Sequence, residues 1–431
     1  VAPNVIISLD NSSSMAWAVK GSGMPTGYDQ KNGSKIGYSV PKADGTWYPD
    51  AKRINVLKHS LETVFSDKNL IPDNTLRIAW QAMHGSMNTL NSTATNTNSM
   101  RPIDAKVGTT THRDNFINFI NAFSVPSTTK YTPTHLMFSQ ADAYMRAPVN
   151  KNGPWSTDPG GTGSKATEYL GCRRNYHIVM TDGRWNTQNL PNTKATGDHQ
   201  DSTDWPELGN RRAYNRTSDQ TNIYQDNDED TLSDWAFYSW MKPLQTPSKP
   251  TWANADPLKP SKIYEEAPAT RSFEGNKPKF KTVSASGSTT SAKQNWCKNY
   301  PGEWLGGNSN NCKVSDGFEK ITVNLEKYWN PEYNPATWTH MVTYTIGFSN
   351  DAITWGSNTG ITGPSVQVPF GDDGSYPDLI TGAKKWPSMD TTNTDYDVDA
   401  RSLDMWHAAI NGRGRYYAVS EAEDLAKAFT E

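Results

Sequence analysis

Cysteine is scarce in this chain: Cys172, Cys297 and Cys312 are the only three among 431 residues. They form no Cys-x-x-Cys pair, so nothing supports a redox centre of that kind. There is no polybasic run either. The 42 basic and 45 acidic side chains leave a net charge of −3, which excludes nucleic acid as an expected partner. No apolar stretch approaches the ~18 residues of a bilayer-spanning helix, so no transmembrane segment is expected. No signal peptide opens at Val1, and a secreted chain is expected to have lost it in processing. Catalytic signatures are missing too: there is no Gly-x-Ser-x-Gly elbow, no His-Glu-x-x-His, no P-loop and no informative Cys-His spacing. The chain is therefore expected not to be an enzyme. What it has is polar and aromatic. Mean hydropathy is −0.76, and 16 Trp and 19 Tyr must supply buried area that aliphatic residues do not.

The most informative segment lies near the start. Val5-Ile6-Ile7-Ser8-Leu9 reads as a buried strand and runs directly into Asp10-Asn11-Ser12-Ser13-Ser14. A carboxylate and two hydroxyls at alternate positions of a tight loop can point into one concavity as hard oxygen ligands. Mg2+ suits such a set, because it takes octahedral oxygen coordination, keeps several waters and needs few protein carboxylates. The bland alternative is a Ser-rich turn that only caps the next helix.

Two later segments add partners. Tyr176-His177-Ile178-Val179-Met180 runs into Thr181-Asp182-Gly183, a second strand delivering a carboxylate at its C-terminal end. Lys130-Tyr131-Thr132-Pro133-Thr134 precedes an amphipathic stretch with Met137, Ala141, Tyr144 and Met145 on one face. Together these resemble the signature of a von Willebrand factor A-type domain. By that resemblance Asp182 is the third-loop acid and Thr132 the second-loop threonine. Lys130 and Tyr131 stand where the family has glycines, which leaves Thr134 as the alternative to Thr132.

A narrower resemblance rests on four segments in order: Pro3-Asn4-Val5 leading to Asp10-Asn11-Ser12-Ser13-Ser14-Met15; Tyr176 to Gly183; Thr343-Tyr344-Thr345-Ile346-Gly347-Phe348; and Asp404-Met405-Trp406-His407-Ala408-Ala409-Ile410-Asn411-Gly412-Arg413-Gly414-Arg415-Tyr416-Tyr417. The chain resembles the N-terminal domain of the PilY family of type IV pilus adhesins. Neither helix nor strand formation demands the last segment, which makes it the most specific. Ser13 departs from the family's usual Gly without removing a ligand. The resemblance implies a metal-ion-dependent adhesion site of Asp10, Ser12, Ser14, Thr132 and Asp182. It would hold Mg2+, or else Mn2+ or Ca2+, and a carboxylate of a host-cell or surface receptor would complete the coordination. It further implies help with pilus assembly, contact with minor pilins, and an extracellular location at the pilus tip or the outer-membrane-associated cell surface. A C-terminal propeller common in the family has no blade repeat here. Rival readings are a structural pilus-priming module with a vestigial metal site, and a metal-dependent hydrolase. Asp182 is expected to lie near solvent at the edge of the sheet.

The expected fold is α/β, a doubly wound, mostly parallel sheet of von Willebrand A type, Rossmann-like, with helices on both faces. Strands 4–9, 75–83, 176–181, 341–348 and 415–419 should share it, with 4–9 beside 176–181. The whole of 1–431 reads as one such domain, with insertions at about 21–51, 150–171, 187–230, 243–317 and 351–400. These loops are rich in Gly, Pro, Asn, Ser and Thr, and several leave the sheet edge where open α/β folds bind ligands.

Cys297 and Cys312 flank a Gly/Asn-rich segment without expected structure, and are expected to form a disulfide closing a loop of roughly 15 residues. Cys172 is left as a small unpaired thiol. Asp226-Asn227-Asp228-Glu229-Asp230 and Asp395-Tyr396-Asp397-Val398-Asp399 imitate the opening of an EF-hand. Thr231 and Ala400 replace its glycine, and Phe237 and Trp406 its final Glu, so neither is one. The first instead sets negative charge ahead of a helix, 232–237, introduced by a capping box of Thr231 and Asp234. Asn411-Gly412-Arg413-Gly414 reads as a helix stop before an edge strand.

Overall fold

The apolar run after Pro3 forms β1 (Asn4–Leu9), with Ile7 and Leu9 packed to one side and Ile6 to the other, the two-residue period of a strand covered on both faces. A hairpin of β2 (Asp29–Lys31) and β3 (Ser34–Ile36) precedes α1 (Arg53–Ser66), which buries Ile54, Leu57, Leu61 and Val64. Next come β4 (Arg77–Ala82), β5 (Arg101–Pro102), the pair β6 (Lys106–Val107) and β7 (Thr110–Thr111), and α2 (His112–Ala122). The Thr111 hydroxyl accepts the Asp114 amide and caps α2. α3 (Thr134–Arg146), β8 (Asn175–Thr181) and α4 (Leu232–Met241) follow, α4 starting with the capping box of Thr231 and Asp234. Then come β9 (Thr270–Ser284), α5 (Thr290–Asn299), β10 (Gly302–Trp304) and β11 (Asn311–Asn324), with Phe273 of β9 packed into the main aromatic core. β12 (Val342–Phe348), α6 (Asn350–Ile353), α7 (Tyr376–Ile380), α8 (Thr394–Asn411), β13 (Arg413–Val419) and α9 (Ala422–Thr430) complete the order. This computed structural model describes residues 1–20, 29–31, 34–36, 41–48, 51–85, 87–128, 131–171, 173–182, 185–186, 197–198, 214–245, 270–299, 302–304, 310–325, 329–336, 338–353, 355, 358–365, 373–389 and 394–430.

The central sheet has the order β13-β12-β8-β1-β4-β5. All neighbours are parallel except β5, which pairs antiparallel with β4 at the edge. The five strands expected from sequence share this sheet, and β1 lies beside β8 as expected. From β1 the chain moves outward to β4, and from β8 it moves the other way to β12 and β13. The crevice between β1 and β8 is therefore the switch point where open α/β sheets bind ligands.

One face carries α1, α2 and α9, with Leu57, Leu61, Phe116, Ile120 and Leu425 in its core. The other carries α3, α4 and α8, and is strongly aromatic: Phe138, Trp235, Phe237, Trp240 and Trp406 are all buried there. The fold is thus α/β, with a mostly parallel central sheet covered by helices.

The 243–317 insertion holds more regular structure than its composition suggested. β10, β11 and β9 form a three-stranded antiparallel sheet in that order, and β11 runs past position 317 to Asn324. Cys297 of α5 and Cys312 of β11 form the expected disulfide, with Cα atoms 5.7 Å apart. Cys172 lies outside the described residues. Among the described residues no helix is long and apolar enough to cross a membrane.

Candidate metal centre at the sheet switch point

Parallel register places Leu9 opposite Met180, so the chain leaves β1 and β8 at the same level. Asp10 follows one strand and Asp182 the other, and the Asp10 amide still donates to the Met180 carbonyl at 3.1 Å. Asp10 Oδ1 accepts the Ser12 amide at 2.6 Å, and Oδ2 accepts the Thr181 hydroxyl at 2.6 Å. Ser12 Oγ and Ser14 Oγ are 3.1 Å apart, and Ser14 Oγ donates to Asp182 Oδ1 at 2.9 Å. Asp10, Ser12, Ser14 and Asp182 thus form one continuous hydrogen-bonded group of oxygen donors.

Thr132 is not part of that group. It is buried ahead of α3, where its carbonyl accepts the Thr134 and Asn186 amides at 2.9 and 3.2 Å. Thr134 is fully buried, and its hydroxyl has no partner. The Thr134 hydroxyl is thus a buried oxygen left without a partner.

Asp182 is not near solvent as expected; it is fully buried. The reason is a residue that the sequence does not single out. Arg53, at the start of α1 and itself fully buried, directs Nη1 at Asp182 Oδ2 at 2.9 Å. Its Nε donates to the Ala18 carbonyl at 3.1 Å, and Trp17 lies against the guanidinium. Burial first and the charge of Asp10 second push the Asp182 carboxyl up to about 7, while Arg53 and Ser14 pull it down. The Ser349 hydroxyl donates to the Asp182 carbonyl at 2.9 Å and fixes the same loop from β12's end.

The residues fit a small hard cation in donor type: two carboxylates and two hydroxyls, all oxygen. Two buried acids in one hydrogen-bonded group, with a single guanidinium on one of them, also leave a negative surplus for a cation to balance. Thr132 or Thr134 would be the fifth group.

No protein-family model matches the chain. It is 28% identical over 363 residues to the type IV pilus biogenesis factor PilY1 of Pseudomonas aeruginosa strain PAK, covering 84% of this chain. The PilY1 proteins of strains PAO1 and UCBPP-PA14 match at 29% and 26% identity, each again over 84% of this chain. The chain is thus similar to these PilY1 proteins over most of its own length. It spans 23% of the length of the PAK and PAO1 proteins and 22% of the third. Among solved structures, a variant of the PilB minor pilin from Streptococcus sanguinis aligns with 99% of this chain and 59% of its own at 10% identity. Its TM-score of 0.30 is too low to bear on fold or role.

The PilY-like segment from Asp404 onward acts on the aromatic face. Asp404 accepts the Leu232 and Ser233 amides at 2.9 and 3.1 Å and the Trp185 indole N–H at 2.7 Å, so it caps α4 from α8. His407 Nε2 meets the Tyr224 carbonyl at 3.0 Å, and Asn411 Nδ2 donates to Asp198 at 2.6 Å. Arg413 donates to the Asn330 carbonyl at 2.8 Å and lies over the Trp240 ring at 4.1 Å. At Gly414 a Cβ would fall 1.9 Å from the Thr343 carbonyl oxygen, so only glycine lets β13 pair this closely with β12.

A buried Ser–His contact also exists, Ser8 Oγ to His177 Nε2 at 2.7 Å, with Gln81 donating to the same hydroxyl. All three are fully buried, so the contact fastens β1 to its neighbours and offers a substrate no nucleophile.

Proposed function

We propose that the chain is the adhesive part of a type IV pilus-associated protein, a non-catalytic module of von Willebrand A type that binds a partner's carboxylate through a divalent cation. Asp10, Ser12, Ser14 and Asp182 hold the ion, with Thr132 or Thr134 completing the protein ligands. The observation that carries this reading is the hydrogen-bonded convergence of Asp10 and Asp182 through Ser12 and Ser14 at the switch point. Similarity to proteins named pilus biogenesis factors supports the pilus context. Neutral hydroxyls leave the ion electrophilic, so an outside carboxylate is its natural further ligand. Host-cell or surface receptors bearing such a group, and minor pilins, are the proposed partners, at the pilus tip or cell surface.

The Arg53–Asp182 pair favours a second reading, in which a guanidinium has taken over the cation's charge and the module serves only in pilus priming. Pilus-dependent attachment of cells whose parent protein carries Ser14→Ala separates the two, because this change leaves Arg53–Asp182 in place. The adhesive reading expects attachment to fall to the level seen in chelator. The priming reading expects normal attachment, insensitive to chelator in both forms.

A further inference from the structure

Beneath the aromatic face, remote in sequence from Asp10 and Ser14, three protein segments bring two acids and a histidine together. Asp198 comes from the stretch after β8, Asp226 from the approach to α4, and His407 from α8. One ligand atom from each lies within 4.8 Å of the others, and all three residues are buried. Helical spacing explains the contribution of α8, where positions i, i+3 and i+7 bring Asp404, His407 and Asn411 onto one face. Asp404 is occupied in capping α4. His407 and Asn411 face the acids.

The hydrogen bonding leaves this cluster incomplete. The His407 Nε2 contact is to a carbonyl, which can only accept, so Nε2 carries the proton. Nδ1 then faces Asp226 Oδ2 at 3.5 Å, and a neutral ring presents a lone pair to a carboxylate there. Trp386 stacks on the imidazole at 4.1 Å and holds this orientation. Asn411 is fully buried and leaves Oδ1 without a partner, although Nδ2 bonds Asp198. Asp234 is fully buried and leaves Oδ1 without a partner, while its other oxygen serves the capping box. Asp198 and Asp234 are both held well above the usual carboxylate range, by burial first and by the neighbouring carboxylates after it. An imidazolium at His407 would balance one charge and leave those two oxygens unsatisfied.

We propose that Asp198, Asp226 and His407 bind a divalent transition-metal ion, with Asp234 and Asn411 supplying further oxygens, as a closed structural site that fastens Asp198 and Asp226 to α4 and α8. A metal-ligating histidine whose second ring N–H goes to a backbone carbonyl is the usual arrangement around such ions. Mixed imidazole and carboxylate donors suit Mn2+ or Zn2+ better than Mg2+. The segment Asp404–Asn411 then has a purpose that neither helix formation nor the switch-point site supplies: one end orders α4 and the other binds the ion.

The test uses the full chain and Mn2+ as the probe. The switch-point site offers only oxygen ligands, so nitrogen hyperfine coupling to bound Mn2+ reports the second site whatever happens at the first. The expected result is imidazole nitrogen coupling in the wild-type and Asp10→Ala chains, its loss in His407→Gln, and a Tm that falls in chelator and returns with Mn2+ in Asp10→Ala. Elemental analysis should find one ion fewer per chain in Asp226→Asn than in wild type. If Asp226→Asn does not fold, the wild-type and Asp10→Ala measurements decide alone. Mn2+ bound without nitrogen coupling, or an Asp10→Ala Tm indifferent to chelator and Mn2+, overturns the proposal and makes the cluster a buried ion pair of His407 and Asp226.

Discussion

Ser14 Oγ donates to Asp182 Oδ1 across 2.9 Å, joining two residues 168 positions apart in the chain. That bond ties the loop after β1 to the loop after β8, and it lies in the crevice where the sheet's connections diverge. Because Ser14 is half-buried while Asp10 and Asp182 are sealed, Ser14 is the side of the group nearest solvent. A partner's carboxylate would approach there.

Asp182→Ala is a poor probe of adhesion alone. It leaves the fully buried Arg53 without its carboxylate, and breaking a buried pair from one side costs about 3–5 kcal/mol. Denaturant unfolding in chelator should show a loss of that size, whereas Ser14→Ala, which removes the half-buried contacts to Ser12 Oγ and Asp182 Oδ1, should lose less, about 1–2 kcal/mol. Equal, small losses for both would show that the Arg53–Asp182 pair contributes little to the fold.

Arg53→Met should make the chain depend more on its cation. With the guanidinium gone, Asp10 and Asp182 repel each other without compensation, and only a bound ion relieves that. The expected outcome is a lower Tm than wild type in chelator and a larger rise on adding Mg2+. A Tm indifferent to Mg2+ would favour the priming reading.

Much of this arrangement was legible in the sequence. The strands carrying Asp10 and Asp182 stand out as apolar runs ending in polar loops, as parallel strands buried on both faces do. Thr231 and Asp234 declared their helix start through a local hydrogen-bond pattern. Arg53 and Thr181 did not declare themselves, since a basic residue opening an amphipathic helix and a threonine ending a strand are ordinary in those positions. Their roles come from tertiary placement: α1 sets Arg53 against the Asp182 loop, and parallel register sets Thr181 beside Asp10. The β9–β11 sheet is not legible in the sequence, because its alternation is largely among polar, exposed residues, Glu319, Lys320 and Thr322 among them, which gives little hydrophobic periodicity. The Asp226 run failed as an EF-hand for good local reasons, yet Asp226 meets Asp198 and His407 through the fold.

The Cys297–Cys312 bridge should show as one alkylated cysteine before reduction and three after, by intact mass. In the chain-entropy model, closing a loop of this size contributes about 3 kcal/mol. Cys297→Ser should therefore raise hydrogen exchange in β10 and β11 while leaving the central sheet protected. Three labels before reduction would remove the bridge from this account.

Acid should weaken the fold partly through His112. Its Nε2 meets the Ile78 carbonyl at 2.8 Å, its Nδ1 is buried without a partner, and burial pushes the imidazole down to about 4. The folded state thus keeps His112 neutral while the unfolded chain takes up a proton below about 6.5, so stability is lost as pH falls from about 6.5 towards 4. The expected loss is about 3 kcal/mol. His112→Gln keeps a donor for Ile78 and should flatten the stability profile over that window. A profile unchanged from wild type would mean that His112 does not report on acid sensitivity.

The most direct test of the central claim is a Mn2+ binding isotherm of the full chain beside Asp10→Ala and Ser14→Ala. The account predicts that wild type binds one ion more per chain than Asp10→Ala, that Ser14→Ala weakens that same site, and that adding acetate as a carboxylate surrogate changes the isotherm only where Asp10 is present. Superimposable isotherms for wild type and Asp10→Ala, both well folded, would contradict it.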